Sequence, residues 1–400
     1  MKVPTQALNP FMPGAGKQPR DLVGRDRELG HMQQIITRTQ LGLIDRGCVY
    51  SGLRGVGKTV LLLQCARMVS DAGMVAIQVE ADDDCTRGME TLFRELEMAA
   101  LRVRTPGLLQ RLGEVFEHVR NLTVGFGSLK VEVGTASKPE DDHDLMRLQI
   151  LIEDMASELG KDQLGLFLFI DEFQDMAPEL MAMLLTVQHR MGQRNLPFFI
   201  IGAGLPNLPG VLTRVRSYAE RLFDYHTLGM LDEQATAEGF SKPAEQSGRR
   251  FTDDALRELV RRSRGYPYFI QAYGSATWNA SDSDPIPLDA VRKGLPEAWK
   301  ALDQGLYVSR WQRASETGRD YLAAMASIGG SEVSTSDVAA HLGRSVSAVG
   351  PIRAQLIELG LIYAPRRGKV AFTVPGMDDY IARAVPVVVQ PYDEAATIED

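Results

Sequence analysis

Apolar positions along this chain gather into short continuous runs separated by longer stretches of helical period. Gly47-Cys48-Val49-Tyr50-Ser51, Met74 to Glu80, Leu164 to Ile170, Phe198-Phe199-Ile200-Ile201 and Phe223 to Leu228 read as five strands. Leu164 to Ile170 and Phe198 to Ile201 are apolar on successive residues, as strands covered on both faces of a parallel sheet must be. Helical stretches alternate with them. One opens near Asp21 to Leu29 and runs towards Arg38, with Asp26 or a neighbour as its cap. Val60 to Val69 continues without a breaker until Gly73, a charged amphipathic helix spans about Arg87 to Arg102, and another runs from about Leu145 to Leu159. Strands alternating with helices predict an α/β fold with right-handed connections.

Two regions break this rhythm. Residues 103 to 150 read as an insertion, with a small hairpin over Leu122 to Val133 and an acidic loop over Lys138 to Asp144. From about Leu231 the pattern turns helical: Phe251 to Arg264, Pro267 to Ala280 and Leu288 to Tyr307. Beyond residue 311, three helices (about Glu316 to Met325, Ser336 to Leu342, Ser345 to Leu359) precede two short strands, Leu361-Ile362-Tyr363 and Val370 to Val374. Three helices followed by a hairpin is the layout of a winged helix.

Composition narrows the class. Four hundred residues suit two or three domains, and 44% hydrophobic with 24% charged residues is an ordinary globular balance. The net charge of −8 excludes a chain that binds nucleic acid by bulk charge, so any DNA contact must come from a local patch. The three cysteines (Cys48, Cys65, Cys85) stand singly, which argues against a disulfide framework or zinc site and for a reducing cytoplasm. Met1 to Pro10 has no apolar signal core. The longest apolar stretch, Leu196 to Leu212, is broken by Pro197, Gly202, Gly204, Pro206 and Pro209, so no membrane span is expected.

The chemistry begins at Gly52-Leu53-Arg54-Gly55-Val56-Gly57-Lys58-Thr59, which fits G-x-x-x-x-G-K-[ST] at every specified position. Small glycines let the backbone curl so that N–H groups converge on a phosphate. Lys58 brings a point charge to the β/γ-phosphates, and the Thr59 hydroxyl is placed to ligate Mg²⁺. A helix starting at Lys58, continuing through Val60, adds its positive dipole end. The bare pattern arises by chance in roughly one or two of every hundred such sequences. Here it sits between a strand and a helix, as a true phosphate loop requires, and ATP is the expected ligand. The apolar run ending at Ile170 leads directly into Asp171-Glu172. Carboxylates at that edge of the sheet lie beside the phosphate loop. Asp171 is suited to hold Mg²⁺, and Glu172 to orient and deprotonate an attacking water.

With these two motifs in place, residues Asp21 to Tyr307 resemble the AAA+ and STAND groups of P-loop ATPases. Val23-Gly24-Arg25 looks like the box that leans on the adenine in that family, and Gly265-Tyr266-Pro267 is similar to the Gly-x-Pro heading a lid helix. With a winged helix behind the lid, the layout resembles origin-recognition-type AAA+ proteins and related archaeal-type ATPases. The resemblance implies a parallel sheet in order 5-1-4-3-2, a helical lid, and nucleotide between core and lid. It implies an extended arm at 1–20, an ATPase core at 21–229, a lid at 230–310, a winged helix at 311–385 and a flexible tail at 386–400. Departures are visible too. The family's polar sensor at the end of the fourth strand is replaced by Gly202-Ala203-Gly204, with Asn207 the nearest substitute, which points to slow or partner-dependent hydrolysis. Arg221 matches the family's arginine finger by position alone. It reads equally well as a surface arginine paired with Glu220 or Asp224. No lid arginine follows Gly265, and Arg261, Arg262 and Arg264 read as a solvated face.

For the winged helix, Arg344, Ser345, Ser347 and Arg353 on or beside its third helix and Arg366, Arg367 and Lys369 on the wing are the candidate DNA contacts. Residues 311 to 385 hold eight Lys/Arg and seven Asp/Glu, a net of +1, which is small for a DNA reader. Ala348, Val349, Pro351 and Ile352 give that helix an apolar start. Two functions therefore stand: an ATP-dependent switch acting on double-stranded DNA, or a STAND-type scaffold ATPase whose winged helix docks protein, with self-association possible in either. A small-molecule kinase is disfavoured, because no acceptor pocket is visible beyond the ATPase set.

Overall fold

A computed structural model describes residues 5–14, 16–103, 105–125 and 139–384. The chain divides into two compact units, residues 1–298 and 299–400.

The first unit is built on strands β1 (Gly47–Gly52), β2 (Val75–Glu80), β3 (Leu166–Asp171), β4 (Phe198–Gly204) and β5 (Phe223–Leu228). All pair in parallel in the order β2-β3-β4-β1-β5, which is the order the resemblance implies read from the other edge. Every residue of β1 and β4 is buried, and every residue of β3 except its last. Their unbroken apolar runs thus reflect two covered faces. The rings of Phe167 and Phe199 stack at 4.6 Å between adjacent strands. Burying each ring contributes roughly 1.5–3 kcal/mol.

The first-unit helices through the insertion are α1 (Asp26–Gln40), α2 (Lys58–Asp71), α3 (Cys85–Leu101), α4 (Pro106–Gly125) and α5 (Pro139–Gly160). Asp26 does not cap α1. Arg25 occupies the cap position without a side-chain cap bond, and Asp26 and Glu28 instead complement the dipole from the first turn. The expected hairpin is overturned where it can be seen, because Leu122 to Gly125 are the last turn of α4; the rest of it lies outside the described residues. The acidic loop is helix from Pro139 onward. A proline suits the first turn of a helix, since its missing N–H costs nothing there. Leu108, Leu112, Val115 and Val119 of α4 join Leu148, Leu151, Ile152 and Met155 of α5 in the same core as β2 and β3.

Helices α6 (Pro178–Gln193), α7 (Leu208–Val215) and α8 (Ala219–Leu222) connect the later strands, none of them foreseen individually. Then come α9 (Glu233–Gln246), α10 (Asp253–Ser263), α11 (Pro267–Asn279) and α12 (Leu288–Leu302). The expected helix to Tyr307 ends at Leu302, where a π-helical turn, Asp303–Tyr307, takes over. The N-terminal arm docks on this helical region. Asn9 Nδ2 donates to Ser275 O and Asn279 Oδ1. Phe11, 4% exposed, lies over Gly274 with the Phe240 and Phe251 rings each 6.3 Å away.

In the second unit, α13 (Val308–Arg313) and α14 (Glu316–Ile328) precede β6 (Val333–Ser334), α15 (Thr335–His341), α16 (Val346–Glu358), β7 (Ile362–Tyr363), β8 (Lys369–Phe372) and α17 (Met377–Ala384). The three helices and the hairpin fall where the sequence places them. Three elements are additional: α13 precedes the three helices, β6 pairs with β8 to make a three-stranded antiparallel sheet in order β6-β8-β7, and α17 follows. Tyr380 of α17 stacks on Tyr307 at 5.3 Å, and Arg383 donates to Asp303 at 2.9 Å. No helix among the described residues is long and apolar enough to cross a membrane. The expected tail, 386–400, lies outside the described residues.

Candidate active site

Strand β1 delivers the chain into a loop that only glycine allows at two places. Gly55 and Gly57 have φ of +75° and +94°, and Gly57 is the left-handed residue from which α2 starts. Gly52, Leu53, Arg54, Gly55, Val56 and Gly57 thus curve over the N-terminus of α2, where Lys58, Thr59 and Val60 begin the helix. Lys58 is 6% exposed and donates from Nζ to the carbonyls of Gly52 (3.0 Å) and Leu53 (2.9 Å). Burial pushes its ammonium pKa down, and the nearby Glu172 and Asp171 carboxylates act in the opposite direction. A cation folded back on its own loop beside a helix N-terminus is poised to turn towards an anion.

Asp171 ends β3, paired in register with Glu80 of β2, and Glu172 follows in the turn. Thr59 Oγ1 donates to Asp171 Oδ2 at 2.5 Å, across 112 residues of sequence. The hydroxyl and carboxylate expected to share a metal ion therefore do meet. Both are hard oxygen donors, which suits Mg²⁺, and a cation that keeps waters and phosphate oxygens needs few ligands from protein. When bound, Mg²⁺ would neutralise charge on the β- and γ-phosphates. Glu172 has φ +47° and ψ +40°, unusual for a residue with a side chain. That backbone costs about 1 kcal/mol or more and turns the side chain back to the loop. There Oε1 accepts from Arg54 Nη1 at 3.0 Å, and Oε2 accepts from Gln174 Nε2 at 2.8 Å.

Two further residues brace the loop from behind. Arg25, 6% exposed, donates through Nη2 to Val56 O (3.0 Å) and Gly229 O (2.9 Å). Its guanidinium is thereby committed to main-chain carbonyls, tying the Val23-Gly24-Arg25 box to the phosphate loop and to the exit of β5. Tyr266, buried at the head of α11 beside Pro267, donates its hydroxyl to Arg54 O at 2.7 Å. A Cβ on Gly55 would lie 2.2 Å from that hydroxyl, so the second reason for glycine there is the tyrosine itself. Sequence reading assigned no role to Tyr266 or Gln174, and no local signal marks either.

The remaining candidates lie apart. Arg221, at the end of α8, is exposed and makes no ion pair among the described residues; Asp224 pairs instead with His31 and Arg46. The Asn207 side chain makes no cap bond to α7, and its Oδ1 is buried without a hydrogen-bond partner. Arg261 and Arg262 pair with Glu258, within their own helix. In the second unit Arg344, Arg366 and Arg367 are exposed, Lys369 and Arg353 are half-buried, and Arg366 pairs with Glu332 at 2.9 Å. The exposed start of α16 is Val346 (53% exposed), Ser347, Ala348 and Pro351.

No curated protein sequence matches the chain. Among solved structures, the RuvB Holliday junction branch migration motor of Thermotoga maritima is similar at 17% identity, covering 95% of this chain and 99% of that one, with a TM-score of 0.45. Orc1 of Aeropyrum pernix, solved in complex with DNA, is similar at 14% identity (95% and 96% covered, TM-score 0.43). Cdc6p of Pyrobaculum aerophilum is similar at 13% (92% and 95% covered, TM-score 0.44). Residues 304–381 match a domain of unknown function (DUF8462). Residues 21–201 match the AAA ATPase domain, the segment that carries β1 to β3, most of β4 and the phosphate loop described above.

Proposed function

We propose that the chain is an ATP-driven switch: it binds and hydrolyses ATP and couples nucleotide state to DNA binding through residues 311–385, folded as a winged helix. The observation that carries the ATPase reading is the meeting of Thr59 with Asp171 at 2.5 Å, one residue before Glu172 and one after Lys58. Lys58 and the loop N–H groups hold phosphate, Thr59 and Asp171 hold Mg²⁺, and Glu172 takes the proton of the attacking water. Both Glu172 oxygens already accept side-chain hydrogen bonds, which supports turnover that is slow until a partner or a lid movement frees one. Arg221, exposed and unpaired, is available to stabilise γ-phosphate charge in a neighbouring copy. Sedimentation with a non-hydrolysable ATP analogue should then show assembly that Arg221→Ala leaves intact while turnover falls at least tenfold. A monomer under all conditions would remove this role.

The DNA arm of the proposal rests on α16 and the β7–β8 hairpin, where Arg366 and Arg367 stand exposed beside Lys369. With ATP present, duplex DNA should bind with a log–log salt slope that falls by about 2 to 3 in the Arg366→Ala, Arg367→Ala, Lys369→Ala triple variant. No binding at low salt would leave the second reading, a STAND-type scaffold that docks protein. One observation favours that alternative: the exposed start of α16 is neutral and partly apolar. Fluorescence anisotropy at two salt concentrations separates the two.

A further inference from the structure

Strand β4 ends at Gly202-Ala203-Gly204, without a polar side chain of its own there, beside β3, which ends at Asp171. The space is not empty. A Cβ built on Gly204 would lie 2.1 Å from Gln174 Oε1, and one on Gly202 would lie 2.7 Å from the Phe173 ring. The turn after β3 has therefore moved into the room the glycines leave. Gln174 Oε1 accepts the main-chain N–H of Leu205 at 2.9 Å, and Nε2 donates to Glu172 Oε2 at 2.8 Å and to Asp175 Oδ2 at 3.0 Å. The amide orientation follows from its partners, since carboxylates only accept and a backbone N–H only donates.

We infer that Gln174 is the positioning residue for Glu172: its carboxamide bridges the carboxylate to the end of β4 and fixes where that carboxylate meets the attacking water. The inference rests on the ATPase reading and extends it to a residue that touches neither nucleotide nor metal. The bridge acts on the oxygen opposite Arg54. Glu172 is thus held between a cation of the phosphate loop and a neutral amide anchored to the sheet. An Arg54 that swings towards phosphate would release Oε1, while Gln174 would keep Oε2 in place. A single hydrogen bond to a flexible glutamate would not give this directionality; an amide itself held by a strand-end N–H does.

The test is steady-state ATP turnover alongside nucleotide affinity, measured with a fluorescent ATP analogue on the full chain. Gln174→Ala should lower kcat about 10- to 100-fold, the range for a lost orienting partner, with nucleotide Kd changed less than about threefold. Gln174→Glu keeps the acceptor for Leu205 N–H but replaces the donor to Glu172 by a like charge. It should lose at least as much kcat, and it carries the test if the alanine variant fails to fold. Near-normal kcat in Gln174→Glu would mean that only the Leu205 bond matters and would overturn the role. Gly204→Ala should displace Gln174 and lower kcat through it, so the Gln174→Ala, Gly204→Ala double variant should be no worse than its poorer parent. Losses that multiply instead would also overturn it. Absence of turnover in the unmodified protein overturns the ATPase reading together with this role; turnover that Gln174→Ala leaves intact overturns this role alone.

Discussion

Replacing Lys58 by Ala should weaken ATP binding about 10²- to 10³-fold, the cost of removing one member of a desolvated, hydrogen-bonded charge pair. The ammonium sits almost fully buried between Gly52 O and Leu53 O, with its pKa pushed down by burial. It is therefore a charge that the nucleotide-free protein holds at some cost and that phosphate would relieve. The two consequences have opposite signs. Lys58→Met, which keeps the aliphatic stem, should leave the thermal midpoint of the nucleotide-free protein unchanged or raise it, while removing the stabilisation that ATP confers. In the unmodified protein that stabilisation is about 2.7 kcal/mol at a hundredfold excess over Kd. Differential scanning fluorimetry with and without ATP and Mg²⁺ reads both. A full ATP-induced shift in either variant would contradict the assignment of the loop.

What was legible from sequence follows the range of the interaction. The phosphate loop is a strand, a turn and a helix start within thirteen residues, and the Asp171-Glu172 pair ends an apolar run whose burial is itself a local signal. Both could be read directly, and so could the hairpin and three helices of the second unit. Leu122 to Gly125, where a hairpin was expected to open, are helical instead, because the start of an alternating stretch is compatible with a helix end and no nearby residue decides between them. The bracing of the site was invisible for a different reason. Arg25 reaches Val56 across 31 residues, Gln174 reaches Leu205 across 31, and Tyr266 reaches Arg54 across 212. Each is a side chain donating to, or accepting from, main chain, so no complementary residue type announces the partner. Gly204 illustrates the limit. In sequence it marked a missing side chain, and in the fold it marks the place where another side chain has entered.

Glu172→Gln is the complementary experiment, because it should preserve binding and remove chemistry. The side chain keeps its length and its backbone, but a carboxamide has a single acceptor oxygen, so it keeps only one of the two hydrogen bonds donated by Arg54 and Gln174. Asp171, Thr59 and Lys58, which hold phosphate and metal in the proposed site, are untouched. Nucleotide Kd should therefore change little. Loss of a general base costs about 10²- to 10⁴-fold in kcat. The variant incubated with ATP and Mg²⁺ should thus retain ATP, where the unmodified protein yields ADP, and chromatography of the bound nucleotide distinguishes the two. If assembly or DNA binding depends on ATP rather than on its hydrolysis, this variant should hold the chain in the assembled, DNA-competent state. Undiminished turnover in Glu172→Gln would show that the carboxylate is not the base. The φ of +47° and the double clamp on its oxygens would then have to be explained as purely structural.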